Sequence, residues 1–387
     1  MSVPFSGSYA PEDAIFLLKP VELKPMDIEE RELRIQSGSS HYSEMIGPEA
    51  APDPLYMEVF EDAMERNLPR LAADFARVAA LIARRPGPVT VMSIARSGTP
   101  AGVVLARLLR GIFGRDAAHY SFSVIRDRGA DMNALNHVAR SRPSGSAVYV
   151  DGWTGKGVIA RELRKSLASA DPRVAGGLAV LSDLCGEAAL AAGADDWLIP
   201  TSLLNSTVSG LVSRTILNPA LTGQGDFHGC VYYAGLARHD VSVATADRIT
   251  LAAEKAVRDD PGIVSRAAGV PPAERKAAQA RSKAFLESVR RDYGVTDPNH
   301  VKPGIGESTR VLLRRCPELL IVRDPDDPDV RHAMLLAASR GVPVERVPDL
   351  AYRAAALIRK VSGAGGSEAA AEGGAEKGPG HAAPKGP

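Results

Sequence analysis

The stretch VYVDGWTGKG, residues 148–157, joins a run of strand-forming residues to a turn rich in glycine. The residues that follow, 157–167, have the spacing of a helix. A strand that passes through a glycine turn into a helix is the repeating unit of parallel α/β sheets. In such sheets, ligands bind beyond the carboxyl ends of the strands. This stretch therefore predicts the class of the fold and the edge of the sheet where a site should lie.

Segments of the same kind lie on both sides of this stretch. Their alternation predicts right-handed βαβ units and a doubly wound, mainly parallel α/β sheet. A helical lead-in at 54–85, interrupted near Pro69, precedes the sheet. We expect helices at 100–109, 157–167 and 186–192, and strands at VTVMSIA (89–95), HYSFSVI (119–125), AVYVD (147–151), LAVLSD (178–183) and WLIP (197–200).

The composition is that of a globular protein, with 45% hydrophobic and 24% charged residues among 387. The formal net charge of +1 excludes a bulk attraction to nucleic acid or membrane, so such binding would need a local patch. The three cysteines are widely spaced, which indicates neither a disulfide framework nor a structural zinc site. No apolar run is long enough for a membrane helix. We expect a cytoplasmic protein.

The length allows two domains with extensions. The last 27 residues contain almost no large apolar side chain and cannot offset the entropy of ordering. We divide the chain into an N-terminal extension (1–50), a main α/β domain (51–245), a helical linker (246–294), a smaller C-terminal α/β domain (295–360) and a disordered tail (361–387). In the smaller domain we predict a strand at ELLIVRD (318–324) and helices at STRVLLRRC (308–316), DVRHAMLLAAS (329–339) and YRAAALIRK (352–360).

The glycine turn after Val150 suits a phosphorylated sugar. Its backbone N–H groups meet the positive end of a helix dipole, which favours an anion. Asp151 ends the strand and is a carboxylate of the kind that accepts hydrogen bonds from ribose hydroxyls. The turn matches neither Walker A nor G-x-G-x-x-G, and a structural glycine turn is the alternative. The phosphate would be held by Gly152, Thr154, Gly155, Lys156 and Gly157.

A second turn, SIARSGTPAG (93–102), also joins a predicted strand to a helix of the same sheet. Arg96 and the backbone amides of Ser97, Gly98 and Thr99 could hold a diphosphate or a carboxylate. In the alternative interpretation, Arg96 only pairs with a neighbouring acid.

Two further segments carry candidate substrate contacts. In VIRDRGAD (124–131), a charged loop follows a strand and could close over a substrate, although it could equally be solvated. Polar residues also follow the last predicted strand, where they could contact a substrate or only cap turns. The candidates are Arg126, Asp127 and Arg128 in the loop, and Asn205, Ser209 and Arg214 after the strand.

A cysteine nucleophile needs a thiolate and a histidine within hydrogen-bond reach. The best local pair is Cys230 with His228, in the segment DFHGC (226–230). In an extended strand their Cβ atoms would lie about 6.5 Å apart, so direct contact needs a bend at Gly229. The alternative is that Cys230 is a small buried residue.

VYVDGWTGKG resembles the PRPP-binding loop of type I phosphoribosyltransferases, and SIARSGTPAGVVLARLL (93–109) resembles their pyrophosphate loop. The stretch VYVDGWTGKG lacks the two adjacent acids of the usual PRPP loop, since Gly152 follows Asp151. Over about residues 4–245, the motifs FSGSY, IQSGSSHYSEM and DFHGC also resemble one bacterial family. Its members are phosphoribosyltransferase-like proteins of tellurium-resistance and stress operons, also named cysteine protease StiP. The resemblance implies a type I phosphoribosyltransferase-like sheet.

The segment VKPGIGESTRVLLRRCPELLIVRD (301–324) is similar to a PELOTA-type RNA-binding domain, which belongs to the L7Ae-like folds. The resemblance covers about residues 295–360 and implies RNA as a partner. Without it, the basic residues would be interpreted as a solvated helix face. The implied RNA-binding residues are Lys302, Gly304, Arg310 and Arg314.

The resemblances lead to one hypothesis with two alternatives. The first is a phosphoribosyltransferase-like enzyme that binds PRPP or a related ribosyl phosphate, with magnesium carried by the diphosphate, and that also binds RNA. Its catalytic residues would be Asp151, Arg96 and Asp127. The second is a cysteine protease that uses Cys230 with His228. The third is a nucleotide-sensing RNA-binding protein without catalysis. The sequence leaves the oligomeric state open.

Overall fold

The computed structural model describes residues 2–361, so the predicted disordered tail lies outside the described residues from residue 362 on. The strands are β1 Ile15–Phe16, β2 Lys19–Pro20, β3 Val89–Ile94, β4 Ala117–Phe122, β5 Val124–Ile125, β6 Gly129–Ala130, β7 Ala147–Val150, β8 Trp153–Thr154, β9 Leu178–Asp183, β10 Leu190–Gly193, β11 Gly229–Cys230, β12 Val301–Pro303, β13 Pro317–Val322, β14 Val344–Arg346 and β15 Ala354–Ile358. The helices are α1 Ile28–Gln36, α2 Pro54–Ala83, α3 Thr99–Gly111, α4 Met132–Ser141, α5 Val158–Ser169, α6 Ser242–Asp259, α7 Gly262–Ser265, α8 Pro272–Tyr293, α9 Ile305–Arg314 and α10 Arg331–Ser339.

The main sheet has seven strands, in the order β1-β4-β3-β7-β9-β10, with β8 paired to β9. All of these pairs are parallel. Strands β3 and β9 are buried along their whole length, which explains why they read as continuous apolar runs. The prediction of an α/β fold with a mainly parallel sheet is confirmed.

Helices cover both faces of this sheet. On one face, Phe75 of α2, Leu105 of α3 and Ile249 of α6 belong to one hydrophobic core. On the other face, Leu135 of α4 and Leu163 of α5 belong to a second core. Since both faces are buried, the free surface of the sheet is its edges and the ends of its strands.

Three local predictions in this part of the chain are wrong. The helix expected at 186–192 is replaced by β10, which pairs with β9. The strand expected at 197–200 does not form, because residues 197–199 are irregular and Pro200 begins a short 3-10 turn. A short apolar run does not distinguish a buried strand from a buried helix. The lead-in helix α2 was expected to break near Pro69, but it continues through this residue from Pro54 to Ala83.

A separate four-stranded sheet forms the C-terminal unit, in the order β12-β15-β13-β14. The helix expected at 352–360 is wrong, because this segment forms β15 at the centre of that sheet. Each residue from Ala354 to Ile358 is buried, so the segment has no polar alternation that would indicate a strand. Helices were predicted correctly at α9 and α10.

The C-terminal unit lies over the carboxyl ends of the main strands. Asp196, just beyond β10, accepts hydrogen bonds from the backbone amides of Ile305 (3.0 Å) and Arg353 (2.8 Å). Leu184, just beyond β9, packs in one cluster with Phe285 and Val301. Burial raises the pKa of Asp196 to about 6. One carboxylate and one apolar cluster therefore hold α9 above the edge where a ligand site was expected.

We expect Asp196→Ala to lower the free energy of unfolding by about 2 to 5 kcal/mol, because two buried amides lose their acceptor. The measurement is urea-induced unfolding followed by tryptophan fluorescence. Asp195→Ala is the matched control, since the Asp195 side chain is 75% exposed and forms only a surface ion pair with Arg70. Equal effects of the two substitutions would contradict the role of Asp196 in docking.

Candidate functional site

A cavity of about 280 Å³ lies between the glycine turn that follows β7 and helix α9. One wall belongs to the main sheet and the other to the C-terminal unit. Its polar and aromatic lining residues are Tyr42, Arg126, Asp151, Trp153, Thr154, Lys156, Asn299, Lys302, Glu307, Arg310 and Arg315. The site is therefore at the predicted edge of the sheet, but the C-terminal unit supplies five of these eleven side chains.

The glycine turn adopts the expected shape. Gly157 has a positive φ of 74° and precedes α5. However, the Thr154 hydroxyl donates to Asp183 (2.6 Å), and Lys156 donates to the backbone carbonyl of Pro298. A Cβ on Gly155 would lie 2.9 Å from the side chain of Glu307. The groups predicted to hold a sugar phosphate are thus already engaged or covered by protein.

The second predicted turn meets the first. The Ser97 hydroxyl donates to Asp151 at 3.1 Å, and the backbone amide of Gly152 donates to the same oxygen at 2.8 Å. Burial raises the pKa of Asp151 to about 6. The Thr99 hydroxyl is buried against that of Ser121. The structure therefore brings the two turns together, but it directs these side chains at each other.

Arg96 pairs with an acid, as in the alternative interpretation of the sequence. It is 6% exposed, and its Nη1 contacts both carboxylate oxygens of Glu49, at 2.9 and 2.8 Å. Glu49 also accepts from the backbone amide of Ser206. The sequence did not single out Glu49, since it belongs to the N-terminal segment and no local pattern marks it.

The candidate substrate contacts separate into two groups. Arg126 and Arg214 both stack on the ring of Tyr42, at 5.0 and 5.2 Å from its centroid. By contrast, the Asp127 side chain is 65% exposed, and Arg128 pairs with Glu44. The first two face the cleft, whereas Asp127 and Arg128 lie towards solvent. Tyr42 was missed because an aromatic residue in a polar segment carries no signal of its own.

The basic residues of α9 point into the cleft. Arg310 lies over the ring of Trp153, 4.4 Å from its centroid, and pairs with Glu307. Arg314 lines three cavities at the junction of the two units. Gly304 has a positive φ of 86° and packs on Leu184. Gly304 therefore serves the close approach of the two units.

The lining of these connected cavities carries a large excess of positive charge. The acids are four in number: Glu49, Asp53, Asp151 and Glu307. The basic residues are nine: Arg31, Arg96, Arg126, Lys156, Arg214, Lys302, Arg310, Arg314 and Arg315. Burial lowers the pKa of Lys302 to about 8, and nearby arginines act in the same direction. Such a surface is built to receive an anion.

The thiols show no preformed catalytic pair. Cys230 is fully buried, and burial raises the pKa of its thiol to about 12. The Nδ1 atom of His228 lies 2.8 Å from the hydroxyl of Ser123 instead. Within residues 2–361, no hydrogen bond joins a cysteine to a histidine, and Cys316 is also buried.

Cys185 has a different environment from the other thiols. It follows β9 at the carboxyl edge, and its Sγ lies 3.9 Å from a carboxylate oxygen of Asp183. A Cβ on Gly157 would be 2.9 Å from this sulfur. Burial raises the pKa of the thiol to about 12, although the Thr154 hydroxyl acts in the opposite direction. In the sequence, the signal for Cys185 is its position two residues after the end of a predicted strand, where ligands of parallel sheets bind.

We expect the stability of the wild type relative to Lys156→Met to increase between pH 7 and about 10. Burial, and then Lys302, lower the pKa of Lys156 from 10.5 to about 7. In that window the unfolded chain binds more protons at this lysine than the folded protein, so stability rises with pH. Urea-induced unfolding at several pH values measures the stability of both proteins. Lys165→Met, at an exposed lysine, is the control. If the difference in unfolding free energy between the wild type and Lys156→Met did not change with pH, the charge of Lys156 would not be buried.

Within residues 2–361, no helix combines the length and the apolar character needed to cross a bilayer. Over the same range, no group of three or more His, Cys, Asp or Glu side chains is placed to hold a metal ion. Magnesium carried by a diphosphate and a cytoplasmic location both stay predictions.

Comparison with known proteins finds two family matches. Residues 7–250 match the family described as tellurite-like stress resistance cysteine protease StiP. Residues 280–360 match the PELOTA RNA-binding domain. A curated relative from Acinetobacter baylyi (strain ATCC 33305 / BD413 / ADP1), named cysteine protease StiP, is 39% identical over 371 residues. That alignment covers 92% of this chain and 95% of the relative.

These matches correct the first functional hypothesis. Both the family description and the name of the relative specify a cysteine protease, so the prediction of phosphoribosyl transfer from PRPP is wrong. The observed engagement of Thr154, Lys156 and Arg96 by protein groups agrees with this correction. The alternative hypothesis of a cysteine protease is the one that the comparisons favour.

Proposed function

The chain belongs to the StiP family of tellurite-like stress resistance cysteine proteases, and from this premise we propose that it is a cysteine peptidase. The observation that carries the proposal is the relative named cysteine protease StiP, because its alignment extends over 92% of this chain. That coverage takes in most of both units that form the cleft. The type I phosphoribosyltransferase-like arrangement of the sheet remains a proposal about fold alone.

We assign the nucleophile to Cys185. Its thiol is at the carboxyl edge of the parallel sheet, where ligands of such folds bind. The hydroxyl of Thr154 and the backbone amide of Glu187 favour the thiolate form, whereas the carboxylates of Asp183 and Glu187 oppose it. The Nη1 atom of Arg161, like Cys185 Sγ, lies 2.9 Å from the Cβ position on Gly157, and Arg161 is paired there with Glu187. Hydrogen-bond donors lower a thiol pKa once water reaches it.

Cys230 lacks these features. It lies within the hydrophobic core between the sheet and its covering helices, and burial alone accounts for the shift of its pKa. Its reaction with a substrate would require the core to open. The pair of Cys230 as nucleophile and His228 as its base is therefore the competing hypothesis.

Catalysis at Cys185 requires helix α8 to move, together with the C-terminal unit on which Phe285 of α8 packs. A Cβ on the neighbouring Gly186 would lie 2.4 Å from the backbone carbonyl of Arg275, which shows how closely α8 covers this strand end. Burial raises the pKa of the Cys185 thiol while this cover is in place. Displacing the unit would hydrate the sulfur and admit a peptide.

We expect Cys185→Ser to lower cleavage of an unfolded protein substrate at least about 1000-fold, because the nucleophile is removed. The measurement is release of fluorescent peptides, with an electrophilic thiol probe to report which cysteine reacts. Asp196→Ala should raise labelling of Cys185, since it loosens the cover.

Cys230→Ala and Cys316→Ser are the controls and should keep activity. Loss of activity and labelling only in Cys230→Ala, with circular dichroism unchanged, would transfer the role to Cys230. If none of the three substitutions alters cleavage, the proposal of a cysteine peptidase is wrong.

A second activity, RNA binding by the C-terminal unit, is supported by the PELOTA match over 280–360. The positively charged lining of the cleft offers RNA a surface on which to bind. The side chains of Arg126, Arg310 and Arg315 are 20%, 27% and 23% exposed, so phosphates of a single strand could reach them from solvent. Tyr42 and Trp153 add aromatic rings to the same cavity.

We expect the double variant Arg126→Gln, Lys302→Gln to bind single-stranded RNA more weakly and with a smaller dependence on salt. The slope of log affinity against log salt should fall by about 0.7 for each phosphate that no longer meets a cation. Fluorescence anisotropy with a labelled oligonucleotide measures both. The exposed Arg346→Gln, on β14, is the control; the same slope in all three proteins would show that RNA does not bind in the cleft.

A further inference from the structure

The side chain of Arg314 is half-buried at the junction of the two units, and the Nε atom of its guanidinium group is fully buried. Its Nε atom has no hydrogen-bond partner, and no ion pair joins Arg314 to a carboxylate within residues 2–361. The residue lines cavities of about 340, 170 and 170 Å³. A charge that is buried without a partner is costly, so the site needs a group that the chain itself does not supply.

The neighbouring charges make the need greater. Arg96, Arg214 and Arg314 line the same two cavities, and Arg310 lines one of them. The carboxylate of Glu49 is already held by Arg96 and by the amide of Ser206. These like charges, together with burial, hold the pKa of Arg314 well below its usual range. The lining of these two cavities carries five guanidinium groups, from Arg31, Arg96, Arg214, Arg310 and Arg314, against three carboxylates, from Glu49, Asp53 and Asp151. Two positive charges remain in excess, which a single negative charge would not neutralise.

Other polar atoms at this place also lack partners. The Nε of Arg96 and the Oγ of Ser202 are buried without a hydrogen bond, and so is the Oδ1 of Asn205. Arg96, Asn205 and Arg314 line both of the larger cavities that meet here. Donors and one acceptor thus converge on one space, which fits a ligand that carries both an oxyanion and a hydroxyl or amino group.

We propose that this junction is a binding site for a terminal phosphate group, held by Arg314 of the C-terminal unit. Arg96 and Arg214 of the sheet unit, which Glu49 and two backbone carbonyls fix in place, add positive charge around it. A phosphomonoester carries nearly two negative charges and several acceptor oxygens, which matches the excess of guanidinium groups better than a carboxylate does. The phosphate belongs either to a small nucleotide or to the 5′ end of an RNA. The proposal is independent of whether the chain cleaves peptides.

The same geometry ties the ligand to the arrangement of the two units. Arg310 and Arg314 belong to α9, whereas Arg96 and Arg214 belong to the sheet unit. Without an anion, positive charges of the two units face each other across the junction. The phosphate therefore both binds and holds the units together.

The test uses the full chain and thermal unfolding with five probes. They are AMP, adenosine, inorganic phosphate, and one RNA trinucleotide with either a 5′-phosphate or a 5′-hydroxyl. We expect AMP or the 5′-phosphorylated RNA to raise the melting temperature, with at least tenfold tighter binding than adenosine or the 5′-hydroxyl RNA. A preference for AMP identifies a nucleotide site, and a preference for phosphorylated RNA identifies an RNA end.

Substitutions of Arg314 locate the effect. Arg314→Gln should abolish the response to phosphate, Arg314→Lys should weaken binding about tenfold because an ammonium cannot form the forked pair of hydrogen bonds, and Arg346→Gln should respond as the wild type does. If Arg314→Gln fails to fold, Arg314→Lys still decides. Equal responses in wild type and Arg314→Lys, or no phosphate response in the wild type, would overturn the proposal. Neither result depends on the salt slope of RNA binding or on Cys185.

Discussion

Two hydrogen bonds to the carboxylate of Asp196 anchor the C-terminal unit, and Asp329 adds bonds to the amide of Leu198 and to Asn67. The Asp196 bonds hold the amides of Ile305 and Arg353 against the end of the main sheet, with Leu184 packed beside them. The helix that starts at Ile305 is thereby placed over the glycine turn, so the ligand edge of an ordinary parallel sheet becomes a covered cleft. The stacking of Arg310 on Trp153 and the burial of Lys156 both follow from this contact.

Docking the two units has an electrostatic cost. It gathers nine basic and four acidic side chains around neighbouring cavities and leaves the buried Nε atom of Arg314 without a hydrogen-bond partner. Cations buried without partners oppose the closed arrangement. The apolar cluster and the Asp196 bonds offset that opposition, and an anion would remove it. The closed state should therefore be sensitive to phosphate in a way that an uncharged interface would not be.

The proposed peptidase and RNA-binding activities share this junction. Cys185 lies beneath α8, which packs with the C-terminal unit, whereas the cations that face the phosphate, Arg310 and Arg314, lie on α9 of that unit. If both proposals hold, a bound phosphate keeps the unit in place and the thiol covered, and loss of the phosphate favours exposure of the thiol. Peptide access and anion binding would then oppose each other through one movement.

The sequence by itself determined the parallel α/β class, the strand that precedes the glycine turn, the proximity of the two turns, which meet at Ser97 and Asp151, and the family. Local periodicity and turn residues carry that information. Only the tertiary structure decided that Ala354–Ile358 is a strand, that Glu49 neutralises Arg96, and that α9 faces inward. Those outcomes depend on partners far away in the chain. A fully buried apolar run, a single acid and a basic helix face each look the same in sequence until packing supplies the neighbour that gives them a role.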